Sequence, residues 1–286
     1  CKPLMARLLI TGASGDLGRP LSALAARGWD TVGTDYRNPL VGGGQAAWLD
    51  LREREGVLRL VRAVRPDAII HAATSDSSED MANTNRLAAC HIAEAASSVG
   101  CRLIALSTDM VFDGTRAPYA EDAPPTPVGP YAQVKADNET RLLAAHHNCL
   151  IVRTSLIYDL TPLNKQVAWM ERAIAAGQPV ALFEDEMRQP IWAWNLAEAL
   201  LELAQGSATG ILHVAGPEPI SRWELGRALL KALGYDPCLV AHRARAAEIA
   251  PDRPRTLILK LDRAHTILRT PLLPLHEALR RAKAET

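Results

Sequence analysis

One stretch of the sequence indicates the fold most clearly, namely Leu8-Leu9-Ile10-Thr11-Gly12-Ala13-Ser14-Gly15-Asp16-Leu17-Gly18. An apolar run, typical of a strand buried on both faces, passes into spaced glycines, and an amphipathic segment follows. Gly12 permits a tight turn, Gly15 lets the backbone approach a pyrophosphate, and Gly18 lets helix and strand pack closely. The pattern therefore predicts an anion site on the free N–H groups of a helix start. The other residues expected beside the anion are Ser14, Asp16 and Leu17.

An acidic residue stands where a dinucleotide site needs one. Asp35 ends the apolar run Val32-Gly33-Thr34-Asp35, about 20 residues beyond the glycines. A carboxylate there accepts hydrogen bonds from the adenosine ribose and repels a 2′-phosphate, so it favours NAD over NADP. Arg37 fits either a phosphate contact or a solvated loop cation. Four further residues are expected along the cofactor, namely Asp50 and Leu51 at the adenine and Ala72 and Ala73 beyond the fourth strand.

Strand-like and helix-like segments alternate through the first half of the chain, which predicts an α/β fold with a doubly wound parallel Rossmann sheet. The expected strands are Arg7–Thr11, Thr31–Asp35, Ala47–Asp50, Ala68–Ala73, Arg102–Thr108 and Leu150–Ser155. The expected helices lie near 17–27, 52–64, 80–99, 129–147, 195–205, 221–234 and 275–284. We expect an NAD(P)-binding domain over 1–158, with 194–215 returning to it, and a smaller substrate-binding lobe formed by 159–193 and 216–286.

The composition narrows the class of protein. With 286 residues, 48% hydrophobic and 22% charged, the chain is long and apolar enough for a sizeable core. Its 32 basic and 32 acidic residues leave no long-range positive field, so we expect no nucleic-acid partner. No apolar run reaches the roughly 18–20 residues that span a bilayer, so we expect no membrane partner and a cytoplasmic protein. The cysteines are odd in number and never form C-x-x-C, which indicates reduced thiols; they are Cys1, Cys90, Cys101, Cys149 and Cys238.

A tyrosine and a lysine four residues apart form the candidate reaction centre. Tyr131 and Lys135 fall on one face of a predicted helix, one turn apart, and follow a strand that ends in Thr108. The lysine ammonium would stabilise the phenolate, so that Tyr131 can protonate a carbonyl oxygen as hydride reaches the carbon. Thr108 would donate to the same oxygen. Lys135 would also hold the nicotinamide ribose.

These motifs together resemble the extended short-chain dehydrogenase/reductases over most of the chain. The residues that carry the resemblance are the glycine turn, Asp67, His71-Ala72-Ala73, Asn85, Ser107-Thr108-Asp109 and Tyr131-x-x-x-Lys135. Within that superfamily, the segments 107–114, Arg153-Thr154-Ser155 and Arg253-Pro254 are similar to the dTDP-4-dehydrorhamnose reductase family. The resemblance implies NAD(P)H-dependent reduction of the 4-keto group of a nucleotide-linked deoxysugar. It also implies that Asn85 supports a proton-relay water.

Two positions depart from that family. Met110 stands where the family usually has tyrosine, and Leu156 where it has tryptophan, both beside the sugar. We expect Met110, Arg188 and Arg253 to contact the substrate, the two arginines at its diphosphate. A surface ion pair is the alternative for Arg253. We expect no metal site and a homodimer as the assembly.

Two other functions stay open at this point. Epimerase or dehydratase chemistry uses the same lobes, and dehydratases place a carboxyl group beside the threonine, as Asp109 is here. A non-catalytic cofactor-binding regulatory subunit is the second alternative, because the methionine adenosyltransferase beta subunit resembles the same reductases.

Several residues have plainer interpretations. We expect His71 to pack near the cofactor without acting as an acid or base, and His146 and His147 to be solvated at a helix end. The run Glu184-Asp185-Glu186 is expected to be a solvated turn. Trp192 and Trp194 fit core packing and stacking on a ligand equally well.

Overall fold

A computed structural model describes residues 5–40, 43–75, 80–161 and 163–284. The strands are β1 (Arg7–Thr11), β2 (Asp30–Asp35), β3 (Gln45–Trp48), β4 (Ala68–His71), β5 (Arg102–Thr108), β6 (Cys149–Thr154), β7 (Ile157–Tyr158), β8 (Val180–Phe183), β9 (Met187–Arg188), β10 (Ile191–Trp192), β11 (Gly210–His213), β12 (Ile220–Ser221) and β13 (Ala241–Ala244).

Helices lie on each of the predicted segments, whereas an 11-residue helix over Lys165–Ala175 and short helices near the end of the chain were not predicted. They are α1 (Gly18–Ala25), α2 (Arg54–Val64), α3 (Met81–Val99), α4 (Pro130–Ala145), α5 (Lys165–Ala175), α6 (Ala193–Gln205), α7 (Arg222–Ala232), α8 (Pro237–Val240), α9 (Ala246–Ile249), α10 (Asp262–Ile267) and α11 (Leu275–Ala284). A single 3₁₀ turn spans Asp109–Val111 directly after β5.

Over the described ranges, seven strands form one parallel sheet in the order β11-β6-β5-β4-β1-β2-β3. The chain therefore winds outward in both directions from β1 and β4, and the predicted doubly wound fold is confirmed. Where the winding reverses, the carboxyl ends of two neighbouring strands diverge into a crevice, which is where such sheets bind ligands. The last strand, β11, pairs with β6 after helix α6.

The period of two along the central strands produces two apolar layers. In β1, Leu8 and Ile10 pack on the face covered by α1 and α6, whereas Leu9 packs on the face covered by α2, α3 and α4. All three side chains are fully buried. This two-sided burial explains why the strands read as continuous apolar runs in the sequence.

A third apolar cluster lies outside the sheet. It joins side chains of α5, α7 and α11, among them Val167, Leu229 and Ala278. Helix α7 begins with a capping box, in which the Ser221 hydroxyl accepts from the Glu224 N–H and the Glu224 carboxylate accepts from the Ser221 N–H. Short strand pairs, β7 with β10, β8 with β13 and β9 with β12, connect this region to the rest.

Two expectations from the sequence are wrong in this part of the structure. His146 is buried, because its Nε2 lies 2.7 Å from the carbonyl oxygen of Cys101, and only His147 is exposed. Glu186 is fully buried inside an arginine cluster and does not lie in a solvated turn. Cys1 lies outside the described residues; Cys90, Cys101, Cys149 and Cys238 are free thiols. Among the described helices, none has the length and apolar character to cross a bilayer.

Candidate active site

The glycine turn lies at the point where the sheet reverses. Gly12 has a φ of +72°, and a Cβ on it would meet the Cα of Ala73, two residues after β4, at 2.7 Å. A Cβ on Gly18 would collide with the Gly12 carbonyl oxygen. Gly15 is exposed, and a Cβ there would meet only the Gly12 oxygen, at 3.2 Å. The first and last glycines thus close the turn, while the middle one leaves backbone open to a ligand, so the cradle fits a dinucleotide diphosphate.

The rest of the turn is held from both sides. The Ala13 N–H donates to the Thr34 carbonyl oxygen at 3.0 Å, which ties the turn to β2. The Asp16 carboxylate accepts from the Lys165 N–H at 3.3 Å and pairs with Arg19 at 3.5 Å. Ser14 is half-buried and Leu17 is buried. Through Asp16, the start of α5 lies against the candidate diphosphate site.

The predicted adenosine residues meet at the ends of β2 and β3. One oxygen of the Asp35 carboxylate accepts from the Leu40 N–H at 2.8 Å, and Arg37 is exposed. Asp50 pairs with Arg52 at 2.6 Å, and the hydrogen bond from Arg52 holds the pKa of Asp50 below its ordinary value. His91 Nδ1 lies 2.9 Å from the Leu51 carbonyl oxygen.

Two aromatic side chains at the same edge were missed in the sequence. Trp48 is 71% exposed and Tyr36 43%, with their ring centroids 5.8 Å apart. The Trp48 Nε1 donates to the Tyr36 carbonyl oxygen at 3.2 Å. An exposed aromatic pair at a strand end offers a flat surface to a base, but alternation in β3 alone does not separate that use from simple exposure.

Lys135 is turned inward from α4. Its Nζ donates to the Leu106 carbonyl oxygen at 3.0 Å, on the strand that ends in Thr108. Burial lowers the pKa of Lys135 to about 8, and the negative charge of Glu139 opposes that shift. A cavity of about 20 Å³, room for one water, is lined by Lys135 together with Ala73 and Asn85. The predicted lysine therefore lies beside the crevice that also holds the glycine turn.

Tyr131 lies on the same helix as Lys135, and Thr108 ends the strand against which that helix packs. Tyr131 is half-buried at the second position of α4, one turn before Lys135, and α4 packs against β5 and the following 3₁₀ turn. The Thr108 hydroxyl oxygen accepts from the Met110 N–H at 3.2 Å and donates to Asp109 Oδ1 at 3.3 Å. Thr108 thus caps the turn that carries Met110.

His71 is buried at the end of β4, and its Nδ1 lies 2.7 Å from the Thr11 hydroxyl. Burial and, to a smaller extent, the positive charge of Lys135 lower the pKa of His71 to about 3. His71 is therefore neutral at ordinary pH. It packs near the crevice without a free charge, as the sequence reading expected.

A buried ion pair behind α4 escaped the sequence reasoning. Glu139, one turn beyond Lys135, forms a bidentate pair with Arg153 of β6, with Nη2 to Oε2 at 2.7 Å. The Ser107 hydroxyl donates to the same carboxylate. Both charged side chains are nearly inaccessible, at 1% for Arg153 and 4% for Glu139. The four-residue spacing from Lys135 to Glu139 is the signal that would have found it.

Asn85 serves the loop after β4. Its Oδ1 accepts from the Ser75 N–H and its Nδ2 donates to the Ser75 carbonyl oxygen, both at 2.8 Å. Its own carbonyl oxygen accepts from Asn138 Nδ2 at 3.1 Å. The side chain thereby fixes the backbone beyond Ala73, and the expected link to a relay water stays a prediction.

The three predicted substrate residues separate in the structure. Met110 is half-buried and packs on the core beside α4. Arg188 is 1% exposed and bound to Asp109 and Glu186, so no donor of it faces a diphosphate; burial corrects that expectation. Arg253 is 39% exposed and pairs with Glu186 at 2.8 Å.

Other predicted and missed residues surround this cluster. Trp192 is 3% exposed and donates to Asp159 at 3.2 Å, so it packs in the core and does not stack on a ligand. Arg222, at the start of α7, donates to Gln166 at 3.2 Å near Glu186, and burial lowers its pKa to about 10. Within the described ranges, His, Cys, Asp and Glu side chains form no group suited to a metal ion.

Comparison with known proteins identifies the family. The family model described as RmlD substrate binding domain matches residues 6–286. The dTDP-4-dehydrorhamnose reductase of Mycobacterium tuberculosis is 34% identical over 81% of this chain and 77% of its own length. Methionine adenosyltransferase 2 subunit beta of Xenopus laevis is 28% identical over 79% of this chain and 72% of its own.

A solved structure agrees over the whole chain. The crystal structure of dTDP-4-dehydrorhamnose reductase from Bacillus anthracis in complex with NADP superimposes with a TM-score of 0.83 and 25% identity, covering 99% of this chain and 100% of that one. The family expected from the motifs is thereby confirmed: the chain belongs to the RmlD substrate binding domain family.

Proposed function

We propose that the protein reduces the 4-keto group of a nucleotide-linked deoxysugar with NAD(P)H. The observation that carries the proposal is the Lys135 Nζ bonded to the Leu106 carbonyl oxygen, which fixes the Tyr131 helix against the strand ending in Thr108, beside the glycine turn. A relative named as such a reductase supports the reaction class.

The residues of this chain have distinct tasks in that reaction. A bound NAD(P)H supplies the hydride to the carbonyl carbon. The Tyr131 hydroxyl gives its proton to the carbonyl oxygen, so that the ketone becomes an alcohol. The Thr108 hydroxyl donates to the same oxygen and stabilises the charge that develops there. The Lys135 ammonium, buried one helical turn beyond Tyr131, stabilises the phenolate and holds the ribose hydroxyls.

The glycine turn would hold the diphosphate of the cofactor, and Ala72 and Ala73 its nicotinamide side. We propose NAD as the preferred cofactor, because the second oxygen of Asp35 remains for ribose hydroxyls while Leu40 holds the first. The reductase from Bacillus anthracis carries NADP. Steady-state comparison of NADH with NADPH tests the preference, and Asp35→Ala should shift it towards NADPH.

For the substrate we propose that 159–193 and 216–286 form the binding lobe. Arg253, half exposed, and Arg222 supply positive charge to the sugar diphosphate, with Met110 beside the sugar. The homodimer and the cytoplasmic location stay predictions. Analytical ultracentrifugation measures the first directly.

One assay tests the reaction. The purified protein is mixed with dTDP- and UDP-linked 4-keto sugars plus NADH or NADPH, and cofactor absorbance is followed. Stoichiometric cofactor oxidation supports reduction. Sugar conversion without net oxidation indicates an epimerase or dehydratase instead. No turnover, together with co-purification of a larger enzyme, favours a regulatory subunit like the beta subunit named above.

A further inference from the structure

A buried ion pair lies directly behind the candidate catalytic threonine. Asp109 follows Thr108, and its side chain is 2% exposed. Arg188 Nη1 lies 3.0 Å from Asp109 Oδ1, and the Ser155 hydroxyl donates to Oδ2 at 2.6 Å. Both carboxylate oxygens are therefore bound, one of them by a charged donor from β9.

Arg188 and Thr108 share the same acceptor. The Thr108 hydroxyl is 3.3 Å from Asp109 Oδ1, longer than the 3.0 Å ion pair. A charge-assisted hydrogen bond is roughly twice as strong as a neutral one, so Arg188 satisfies that oxygen. The Thr108 hydroxyl is then the weaker of two donors to Oδ1, and its proton can turn to a substrate. Without Arg188, the threonine would be the remaining donor to Oδ1.

Charge compensation adds to this effect. Reduction of a ketone develops negative charge on its oxygen, which Thr108 contacts in the proposed mechanism. A buried carboxylate on the next residue would oppose that charge, because Coulomb interactions are weakly screened inside a protein. The Arg188 guanidinium cancels it, and the same pairing withdraws Asp109 from acid–base chemistry.

We propose that Arg188 is a positioning residue that keeps Thr108 available to the substrate oxygen and neutralises Asp109. The inference rests on the proposed function, which it deepens. It also gives a physical reason for reduction over dehydration, since the carboxyl group that a dehydratase would use beside the threonine is already occupied.

The neighbouring charges allow the Arg188–Asp109 pair to be tested separately from the Arg188–Glu186 pair. Arg188 Nε also binds Glu186 at 3.1 Å, and Glu186 is paired with Arg253 at 2.8 Å, with Arg222 nearby. When Arg188 is replaced, Glu186 keeps two cations. From the part of the chain that the structure describes, Asp109 keeps the neutral donors Ser155 and Thr108. The change therefore leaves one carboxylate without a cation.

The experiment compares Arg188→Gln with the double variant Asp109→Asn/Arg188→Gln and with Arg102→Gln. Arg102 is the matched control, a 6% exposed arginine at the opposite end of β5 from Thr108 that donates to the Leu203 and Ala208 carbonyl oxygens. For each, kcat and KM for sugar, the pH profile and the melting temperature are measured. The active fraction is fixed by titration with NAD(P)H.

Arg188→Gln should lower kcat at least about tenfold at pH 8 with a small change in KM, because the lost interaction acts on the transition state. The double variant should regain most of the kcat, because the carboxylate that Arg188 compensates is then absent. Arg102→Gln should lose stability and keep kcat.

A wild-type kcat in Arg188→Gln, or a loss that the double variant fails to rescue, would overturn the inference while leaving the proposed function intact. Wild-type protein that binds NAD(P)H yet reduces none of the sugars contradicts the proposed function itself. In that case the pair is still measured by stability, since Arg188→Gln should lower the melting temperature and the double variant should restore most of it. A double variant no more stable than Arg188→Gln would contradict the charge compensation.

Discussion

Lys135 must be charged to stabilise a phenolate, yet it lies where charge is costly. Burial lowers its pKa to about 8, and the Glu139 carboxylate one turn away limits the shift. Arg153 in turn neutralises Glu139 on the far side. The charge of Lys135 is therefore sensitive to pH just above neutrality. The burial of this side chain thereby makes the rate of the proposed reduction depend on pH.

We predict that kcat/KM falls as the pH rises through about 8, because Lys135 loses its proton there. Lys135→Arg stays charged at those pH values, so its lower activity should persist further into the alkaline range. Initial rates between pH 6 and 10 check both. An alkaline limb at the same pH in the two proteins would assign it to another group.

Single residues also show where sequence reasoning ends. Tyr131 and Lys135 could be proposed from the sequence because a helix places residues four apart on one face, and because the pair follows a strand ending in Thr108. Arg188 and Glu186 were misjudged because their partners, Asp109 and Arg253, are remote in the chain and close only after folding. His146 was predicted to be exposed because the residues around it in the sequence do not indicate its contact with the Cys101 carbonyl oxygen.

At the scale of elements, β1, its turn and α1 form one mechanical unit. The Gly12 carbonyl oxygen occupies the space that a side chain at Gly18 would need, so the helix approaches the strand only with glycine there. The turn's exposed backbone depends on that approach. The close packing of α1 on β1 and the exposure of the turn's backbone to an anion therefore both require that Gly18 has no side chain.

We predict that Gly18→Ala weakens NAD(P)H binding at least tenfold and destabilises the fold by about 1–3 kcal/mol, the usual result of overpacking. Gly28→Ala is the matched control, because no atom lies within 4 Å of a Cβ at that position. It should change stability by less than about 0.5 kcal/mol. Fluorescence titration with NAD(P)H measures cofactor binding, and thermal unfolding measures stability. Equal effects of Gly18→Ala and Gly28→Ala would contradict the dependence of both on Gly18.

The bounds of the strands were predicted most accurately where both faces of a strand are buried and apolar. β1 and β5 match the predicted bounds because both faces are apolar. β3 begins two residues earlier than expected, since its exposed residues carry little pattern. The two-residue strands β9 and β12 were not predicted, because such short pairings are set by the segments that meet there.

Across the whole molecule, the chain end is fastened back to the central domain. Glu202 of α6 accepts from the Arg269 N–H at 2.8 Å and from the Thr270 N–H and hydroxyl at 2.8 and 2.7 Å. Burial raises its pKa, but these donors outweigh burial and lower the pKa to about 2. Asn195, on the same helix, holds the Pro271 carbonyl oxygen and the Leu273 N–H.

We predict that Glu202→Gln destabilises the protein by about 1–3 kcal/mol at pH 7, the range for hydrogen bonds to a charged group. The folded pKa is depressed, so this contribution exists above the ordinary value of 4.5 and is lost as the pH falls towards 2. The difference in unfolding free energy between wild type and Glu202→Gln, measured by denaturant unfolding from pH 7 to pH 3, should therefore shrink as the pH falls. A difference as large at pH 3 as at pH 7, or one that appears equally in the exposed Glu218→Gln, would contradict this assignment.

The doubly wound sheet brings the glycine turn, the end of β5 and one face of α4 to the same crevice. We propose that Tyr131 donates its proton to the substrate there. The most direct measurement is the turnover of Tyr131→Phe with a 4-keto nucleotide sugar, alongside its NAD(P)H dissociation constant. We predict a loss of at least about 100-fold in kcat with cofactor binding within a few-fold of wild type. Turnover near the wild-type rate in that variant would contradict the account.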